Sequence, residues 1–208
     1  MNLNCWELFV KRQTAILHRL KHSSDRYIET QDLQHALAAL QSGGVVAHAT
    51  EGVWGLSCDP ENQAAVEKVL TIKGRDRDKG LIVIGGNVDT FQPELAGLTD
   101  DDRRRIAKTW PGANTWILPN VRFGSAITGN RETIACRVPG HPQAQKLAEL
   151  FGRPIVSTSA NRSGLPAATT ETEVRASLGS EVDCVMPGAV LNPGVPSAIH
   201  TLDGERIR

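Results

Sequence analysis

Two short strands joined by a glycine-containing turn are predicted by residues 45–56, which read VVAHATEGVWGL. Residues 45–49 and 53–56 are short, mostly apolar runs of the kind that form buried strands, and the turn residues Glu51-Gly52 lie between them. The glycines let another group approach the backbone closely, which makes this loop a candidate binding element. An ordinary hairpin connection explains the same residues equally well.

Helical and strand patterns alternate on both sides of this turn. A helix that Thr30 could cap is predicted to end at Gly43-Gly44, and a second one follows Asp59-Pro60 and ends near Gly74. Residues 81–84 predict a strand buried on both faces. Further helices are predicted at 100–109, 141–151 and 172–178, and further strands at 115–118, 134–138, 155–157, 182–186 and 198–202, with a turn at Asp203-Gly204. Alternation without a linker predicts one α/β domain over residues 29–208, preceded by an extension (1–28) that is either helical or loose.

The composition is that of a globular protein. The chain has 208 residues, of which 40% are hydrophobic, and 23 Lys+Arg balance 23 Asp+Glu. These values exclude the disordered, collagen-like and coiled-coil classes. A formal net charge of zero argues against binding of nucleic acid by the charge of the whole protein, although a local basic patch stays compatible with it.

The cysteines and the apolar runs indicate a compartment. Four cysteines, Cys5, Cys58, Cys136 and Cys184, lie far apart and form no CxxC pair, so they predict reduced thiols and neither a zinc site nor a disulfide framework. No run of 18 or more apolar residues predicts a membrane span, and residues 1–17 lack the apolar segment and cleavage site of a signal peptide. We therefore expect a cytoplasmic protein.

Cations are concentrated in the loop KGRDRDKG, residues 73–80, which leaves a predicted helix and enters an apolar strand. Lysine and arginine at a helix C-terminus gain stability from the helix dipole in any case, and most charge runs are solvated surface. Dense cations between glycines are also the composition that binds phosphates or carboxylates. The loop alone leaves both interpretations open.

Two further segments carry polar residues where the neighbours are apolar. Arg137 lies within a predicted strand and needs a ligand or a salt-bridge partner, because an unpaired buried charge is costly. Residues 157–164, STSANRSG, follow a buried strand and predict a set of hydrogen-bond donors. A serine hydrolase is the competing interpretation, but GxSxG is absent and no spacing marks a base. GxxxxGK[ST], GxGxxG and HExxH are absent as well, so neither a P-loop nor a Rossmann nucleotide site is predicted.

Taken together, the loops resemble the YrdC-like threonylcarbamoyl-AMP synthases. The motifs that carry the resemblance are ATEGVWGL (49–56), KGRDRDKGL (73–81), WPGANT (110–115), RVPGHP (137–142), STSANRSG (157–164) and PSAIHTLDG (196–204). The resemblance covers about residue 30 to the end. It implies a twisted mixed β-sheet flanked by helices, with a concave central cleft. It also implies a nucleotidyltransferase that makes L-threonylcarbamoyl-AMP and pyrophosphate from L-threonine, bicarbonate and ATP, for t6A modification of tRNAs that read codons beginning with A.

The resemblance also implies site residues. The family's KxR…SxN signature falls on the catalytic candidates Lys73, Arg75, Ser159 and Asn161. The implied ATP contacts are Arg75, Lys79, Thr133, Ser159 and Asn161, and the implied threonine contacts are Thr50, Arg137, Ser157 and Ser197. No protein metal ligand is implied, since Mg2+ would be held through the ATP phosphates.

These residue types suit the reaction. A carbamate formed on the amine of threonine attacks the α-phosphorus of ATP, so cationic and hydroxyl side chains must hold two anionic reactants together. The product would pass to downstream t6A-transfer proteins. An RNA-binding or ribosome-maturation factor that uses the same cleft is the alternative. Only nine aromatic residues (four Phe, four Trp and one Tyr) weigh against a base-stacking module.

Overall fold

The computed structural model describes residues 30–208, and the predicted extension at 1–28 lies outside them. The helices are α1 (Thr30–Gln41), α2 (Gln63–Lys73), α3 (Gln92–Leu95), α4 (Asp100–Ala107), α5 (Ser125–Thr128), α6 (Pro142–Phe151) and α7 (Glu171–Leu178). The strands are β1 (Val46–Ala49), β2 (Trp54–Ser57), β3 (Ile82–Ile84), β4 (Asn114–Pro119), β5 (Thr133–Arg137), β6 (Ile155–Val156), β7 (Thr158–Ser159), β8 (Cys184–Val185) and β9 (Ala198–His200). None of the helices in this part of the chain has the length and apolar character needed to cross a membrane.

The strands form two mixed sheets. One has the order β7-β2-β1-β8 and the other β6-β3-β5-β4-β9. Strands β1 and β2 are antiparallel, as predicted for the hairpin at 45–56, whereas β3 and β5 are parallel neighbours. The predicted mixed α/β class is confirmed, but the strands divide between two sheets instead of joining one.

Strand β1 is buried on both faces because alternate residues point into different cores. Ala47 and Ala49 belong to a large apolar cluster that includes the stripe of α2. Val46 belongs to a second cluster, made by one face of α1 and one face of α6. This double burial fixes the strand, and with it the loop that follows at residue 50.

Helix α2 is fixed at both ends, which places the residues that follow it. Asn62 is the N-cap, and its side chain accepts a hydrogen bond from the N–H of Ala65. Gly74 ends the helix in the left-handed conformation, with φ +55°, and its N–H donates to the carbonyls of Leu70 and Thr71. The helix therefore begins at Gln63, later than the predicted start at Asp59-Pro60.

Other predicted bounds shift by a few residues. The predicted strand at 155–157 is interrupted at Ser157, so that β6 lies in one sheet and β7 in the other. The last predicted strand ends at His200, and the turn at Asp203-Gly204 leads back to an antiparallel bridge between His200 and Arg206. The short helices α3 and α5 had no prediction.

Candidate active site

Residues from both sheets line one cavity of about 200 Å³. Its walls come from the β1–β2 loop, from the end of α2, from strands β2, β3 and β5, from the β6–β7 junction and from the chain end. The charged and hydroxylic residues that line it are Thr50, Glu51, Arg75, Arg137, Ser157, Thr158, Ser159, Ser197 and Arg208. The apolar lining includes Val53, Trp54, Ile82, Ile84 and Val195. The sequence motifs therefore converge from distant parts of the chain.

Lys73, the last residue of α2, is buried with its ammonium group directed at the loop that follows β7. Nζ donates to the carbonyl oxygen of Ser159 and, at 3.0 Å each, to the carbonyl oxygen and Oδ1 of Asn161. Burial, assisted by the nearby cation of Arg75, lowers the pKa of Lys73 to about 8. All three proton positions of the ammonium thus have protein acceptors.

Arg75 has a double contact with its own loop. Nε and Nη2 donate to the carbonyl oxygen of Gly80, at 3.1 and 2.9 Å, and Nη2 also lies 3.4 Å from the carbonyl oxygen of Lys79. Burial first, and then the cation of Arg208, lower the pKa of Arg75. The side chain therefore holds the turn at 76–80 closed and still contributes a positive charge to the cavity.

The segment 159–163 is fastened to the end of α2. Ser159 Oγ donates to Asn161 Oδ1 at 2.6 Å, and Asn161 Nδ2 donates to the carbonyl oxygen of Leu165 at 2.6 Å. Arg162 Nη1 donates to the carbonyl oxygen of Ile72 at 3.0 Å. The N–H of Ser163 donates to the carbonyl oxygen of Lys73 at 2.6 Å. The last carbonyls of the helix are satisfied by the loop, which fixes their relative position.

Arg137, at the end of β5, has a buried partner. Its Nη2 forms an ion pair with Glu51 Oε2, and Nε donates to the carbonyl oxygen of Gly112 at 2.9 Å. Glu51 Oε1 accepts the N–H of Gly140 at 2.7 Å. Burial alone would raise the pKa of Glu51, but the adjacent guanidinium and the hydrogen bonds hold it below its usual value.

The other residues implied for threonine also lie at this cavity. Thr50 Oγ1 donates to the carbonyl oxygen of Val53 at 2.7 Å. Ser197 Oγ lies 3.2 Å from Thr115 Oγ1, and Ser157 is buried at the β6–β7 junction. The structure thus brings Thr50, Arg137, Ser157 and Ser197 together.

Four of the implied residues are outside the cavity lining. Lys73 and Asn161 lie behind Ser159 and hold its loop, while Lys79 and Thr133 are exposed side chains on the turn after α2 and at the start of β5. Within residues 30–208, the lining therefore includes Arg75 and Ser159 from the ATP set. The roles of all these residues remain predictions.

Arg208 is a cavity residue that sequence reasoning missed. Its Nε donates to the carbonyl oxygen of Ser197 at 3.0 Å and its Nη2 lies 3.2 Å from Ser197 Oγ. Burial and the neighbouring cation of Arg137 lower its pKa. No sequence motif around Arg208 marks it as a binding residue. The turn predicted at Asp203-Gly204 reverses the chain, however, and this reversal could have been used to place Arg208 beside β9.

The C-terminal strap, residues 187–197, closes against the β1–β2 loop. The N–H groups of Asn192 and Gly194 donate to the carbonyl oxygens of Glu51 and Gly52, at 2.6 and 2.8 Å. A Cβ placed on Gly52 would lie 1.7 Å from the carbonyl oxygen of Val195. The absence of a side chain at residue 52 is therefore what allows this close approach.

Among the residues that the structure describes, three guanidinium groups and one carboxylate line the cavity, and that carboxylate is already paired with Arg137. The remaining charge is positive, and hydroxyl groups surround it. Such a lining is suited to holding more than one anionic group, such as a carboxylate and a phosphate. Ser157, Ser159 and Ser163 have no hydrogen bond to a histidine among the described residues, which disfavours a serine hydrolase.

Comparisons with known proteins identify one family and relatives that share one name. The Sua5/YciO/YrdC family model, described as "Telomere recombination", matches residues 38–208. The threonylcarbamoyl-AMP synthase of Chromohalobacter salexigens is 44% identical over 183 residues, covering 86% of this chain and 98% of that protein. The threonylcarbamoyl-AMP synthase of Vibrio vulnificus is 42% identical over 179 residues, covering 85% and 96%.

A solved structure shares the fold. The Sua5 protein of P. abyssi, crystallised in complex with L-threonine, superposes with a TM-score of 0.81 at 31% identity. The alignment covers 86% of this chain and 53% of that one, so this chain spans about half the length of that Sua5 protein.

Proposed function

Because this chain belongs to the Sua5/YciO/YrdC family, we propose that it is a threonylcarbamoyl-AMP synthase, a nucleotidyltransferase that joins L-threonine, bicarbonate and ATP. The observation that carries the proposal is the cavity lined by Arg75, Arg137 and Arg208, in which the carboxylate of Glu51 is neutralised by Arg137. Such a site accepts two anionic substrates at once.

Arg137 would bind the carboxylate of threonine. Its Nε and Nη2 are occupied by Gly112 and Glu51, while Nη1 has no hydrogen-bond partner within residues 30–208. Because Arg137 lines the cavity, a ligand carboxylate could accept from this nitrogen and complete its hydrogen bonding. Thr50, Ser157 and Ser197 would provide the remaining polar contacts of this subsite.

Arg75 and Ser159 would bind the phosphates of ATP, with Arg208 beside them. Lys73 and Asn161 would support this subsite from behind, since they fasten the loop that carries Ser159. Lys79 and Thr133 stay candidates for ATP contacts at the rim, because both are exposed near the loops that border the site.

The chemistry needs positioning and charge compensation more than a covalent enzyme group. The amine of threonine takes up CO2 from bicarbonate, with loss of water, and forms a carbamate. A carbamate oxygen attacks the α-phosphorus, and the pyrophosphate leaves with the electron pair of the broken bond. Fixed cations lower the barrier because they compensate the charge of two approaching anions without reorganisation.

Magnesium would enter as part of the substrate MgATP. Within residues 30–208, no group of three or more His, Cys, Asp or Glu side chains could hold a metal ion. The cavity's carboxylate, Glu51, is engaged by Arg137 and by Gly140. The phosphates of ATP are therefore the oxygen ligands that Mg2+ would use here.

We also propose that the product is handed to t6A-transfer proteins in the cytoplasm and that the final acceptor is tRNA. Direct RNA binding by the cavity loops is the second candidate. Its support is the cationic rim, where Lys79 is exposed and Arg75 contributes to the cavity. Salt-sensitive RNA affinity in a protein without ATP turnover would favour that alternative.

The proposal is tested by measuring pyrophosphate release from the purified full chain with ATP, Mg2+, bicarbonate and L-threonine. Release that requires both threonine and bicarbonate is the expected result. A folded protein that releases no threonine-dependent pyrophosphate would contradict the proposed activity, and RNA binding would then be measured in its place.

A further inference from the structure

We infer that Glu51 is a positioning residue of the amino-acid subsite, which holds the guanidinium of Arg137 in the orientation that receives the threonine carboxylate. The inference rests on the proposed function and extends it to a residue that no motif had marked as a ligand. Its basis is the geometry of one buried ion pair and of the groups that anchor it.

Glu51 is itself held in place by two neighbouring segments. Oε1 accepts the N–H of Gly140 at 2.7 Å, and the backbone carbonyl of Glu51 accepts the N–H of Asn192 at 2.6 Å. The side chain is 9% exposed. The β5–α6 loop thus holds the carboxylate and the C-terminal strap holds the backbone of the same residue, which makes the carboxylate a fixed partner for the group it contacts.

Glu51 and Gly112 together fix the plane of the Arg137 guanidinium. One contact is to Nη2 and the other, at 2.9 Å, is to Nε. Two contacts on different nitrogens of a planar group restrict its rotation, and they leave both N–H groups of Nη1 and the second N–H of Nη2 without a partner among the described residues. An arginine side chain otherwise has much rotamer freedom, and fixing it beforehand lowers the entropy lost on binding.

The net charge of the cavity does not by itself explain the ion pair between Glu51 and Arg137. Among the described residues, Glu51 is the only Asp or Glu in the cavity lining, and it reduces the positive charge that attracts anionic substrates. A site built only for charge would omit it. The presence of Glu51 is explained if threonine binding gains more from a correctly oriented Arg137 than it would gain from one additional positive charge in the cavity.

The alternative role is competition, in which the Glu51 carboxylate occupies the place that the substrate carboxylate needs. The two roles predict opposite changes in threonine affinity on neutralising Glu51. Positioning predicts weaker binding, and competition predicts tighter binding.

The experiment measures binding of L-threonine and of L-threoninamide, which lacks the carboxylate, by calorimetry. The proteins compared are the wild-type chain, Glu51→Gln and Glu51→Asp. We expect wild type to prefer threonine by about tenfold or more and Glu51→Gln to reduce this preference to about threefold or less. The KM for ATP should change by less than about twofold, since the phosphate subsite keeps its own contacts.

Glu51→Asp keeps the charge but shortens the reach by one methylene, so an intermediate preference is expected. It also decides the question if Glu51→Gln fails to fold. The matched control is Glu61→Gln, because Glu61 forms an exposed ion pair with Arg153 and is 68% exposed. This control should keep both the preference and the affinity of wild type.

An unchanged preference in folded Glu51 variants, or tighter threonine binding in Glu51→Gln, would overturn the inference and would not contradict the proposed function. Absence of threonine binding in the wild-type chain is a different result. It would overturn the proposed function, and the inference with it.

Discussion

Lys73 and Asn161, which are 88 positions apart in the chain, are joined by two hydrogen bonds of 3.0 Å from one ammonium group. The contact ties the end of helix α2 to the loop after β7. Because Ser159 Oγ donates to the same Oδ1 of Asn161, the three side chains form one network. The signature residues thus divide into those that line the cavity and those that hold the lining in place.

Replacing Lys73 with methionine is expected to destabilise the protein. Lys73→Met removes three hydrogen bonds that come from one charged donor. The carbonyl of Ser159 keeps the N–H of Asn161 and Asn161 Oδ1 keeps Ser159 Oγ, so the loss falls mainly on the Asn161 carbonyl, and we expect a cost of about 1–3 kcal/mol. The free energy of unfolding, measured by urea denaturation at pH 7, should fall accordingly. Activity should fall with it, because the loop that carries Ser159 loses its anchor.

Comparison with the same variant should also reveal how the stability contributed by Lys73 changes with pH. The pKa of Lys73 is about 8 in the folded chain and about 10.4 when unfolded, so between these values the unfolded chain binds more protons. Stability from this group therefore rises with pH across that window. Wild type should gain up to about 3 kcal/mol over Lys73→Met between pH 8 and pH 10.4. A difference that is flat with pH would show that Lys73 keeps its proton.

Gly52→Ala is expected to displace the C-terminal strap. Its Cβ would lie 1.7 Å from the oxygen and 2.5 Å from the carbon of the Val195 carbonyl, which are backbone atoms that cannot rotate away. We expect a loss of about 1–3 kcal/mol in unfolding free energy and a higher KM for threonine, since Ser197 lies two residues after Val195. Gly97→Ala is the control, because a Cβ there meets no atom within 4 Å. Equal behaviour of the two variants would contradict the close packing at Gly52.

The α/β class could be predicted from the sequence because apolar runs and capping residues act locally. The strand predicted at 45–49 corresponds to β1, and the one at 134–138 to β5, each within a residue or two. Membership of a sheet could not be predicted in the same way. Strand β3 pairs with β5 in parallel, and β6 and β7 separate at Ser157, and both depend on contacts between distant segments.

The site residues that belong to sequence motifs could be predicted, and those outside the motifs could not. Arg75, Arg137 and Ser159 belong to recognisable loops and do line the cavity. The sequence predicts Glu51 only as part of a turn, because its partner Arg137 lies 86 positions away and only the folded chain brings them together. Arg208 has no motif of its own, since its position depends on the hydrogen bonds to Ser197.

Arg208→Ala is expected to weaken ATP use, and threonine use as well because the side chain holds Ser197. The guanidinium lines the cavity and lies close enough to Arg75 to lower its pKa, so its removal takes a cation from the phosphate subsite. A hydrogen bond to a charged group contributes about 1.5–3 kcal/mol, which corresponds to a loss of roughly tenfold to a hundredfold in kcat/KM for ATP. Pyrophosphate release measured at varied ATP checks this.

The control for that variant is Arg104→Ala. Arg104 forms an (i, i+3) ion pair with Asp101 on helix α4, and its side chain is 63% exposed. Its loss should leave kcat/KM for ATP unchanged, since exposed pairs contribute little. If Arg208→Ala behaves like Arg104→Ala, Arg208 is a structural residue of the chain end only.

His48 predicts how stability falls in acid. The ring is fully buried, with Nε2 2.7 Å from Ser57 Oγ and Nδ1 3.0 Å from the carbonyl oxygen of Ala49. Because a carbonyl oxygen only accepts, Nδ1 carries the proton and Nε2 accepts from Ser57. Burial, with the nearby His141 and Arg137, lowers the pKa of His48 to about 4, so the ring stays neutral at pH 7.

Between pH 6.5 and pH 4 the unfolded chain therefore binds a proton at His48 that the folded chain does not. Stability from this group falls as the pH falls through that window, by up to about 3 kcal/mol. His48→Gln has no titrating ring, so the difference in unfolding free energy between wild type and variant should shift toward the variant from pH 7 to pH 4. Urea denaturation across this range measures the difference. A constant difference would mean that a charged imidazolium is accommodated beside Ser57, which the complete burial of the ring argues against.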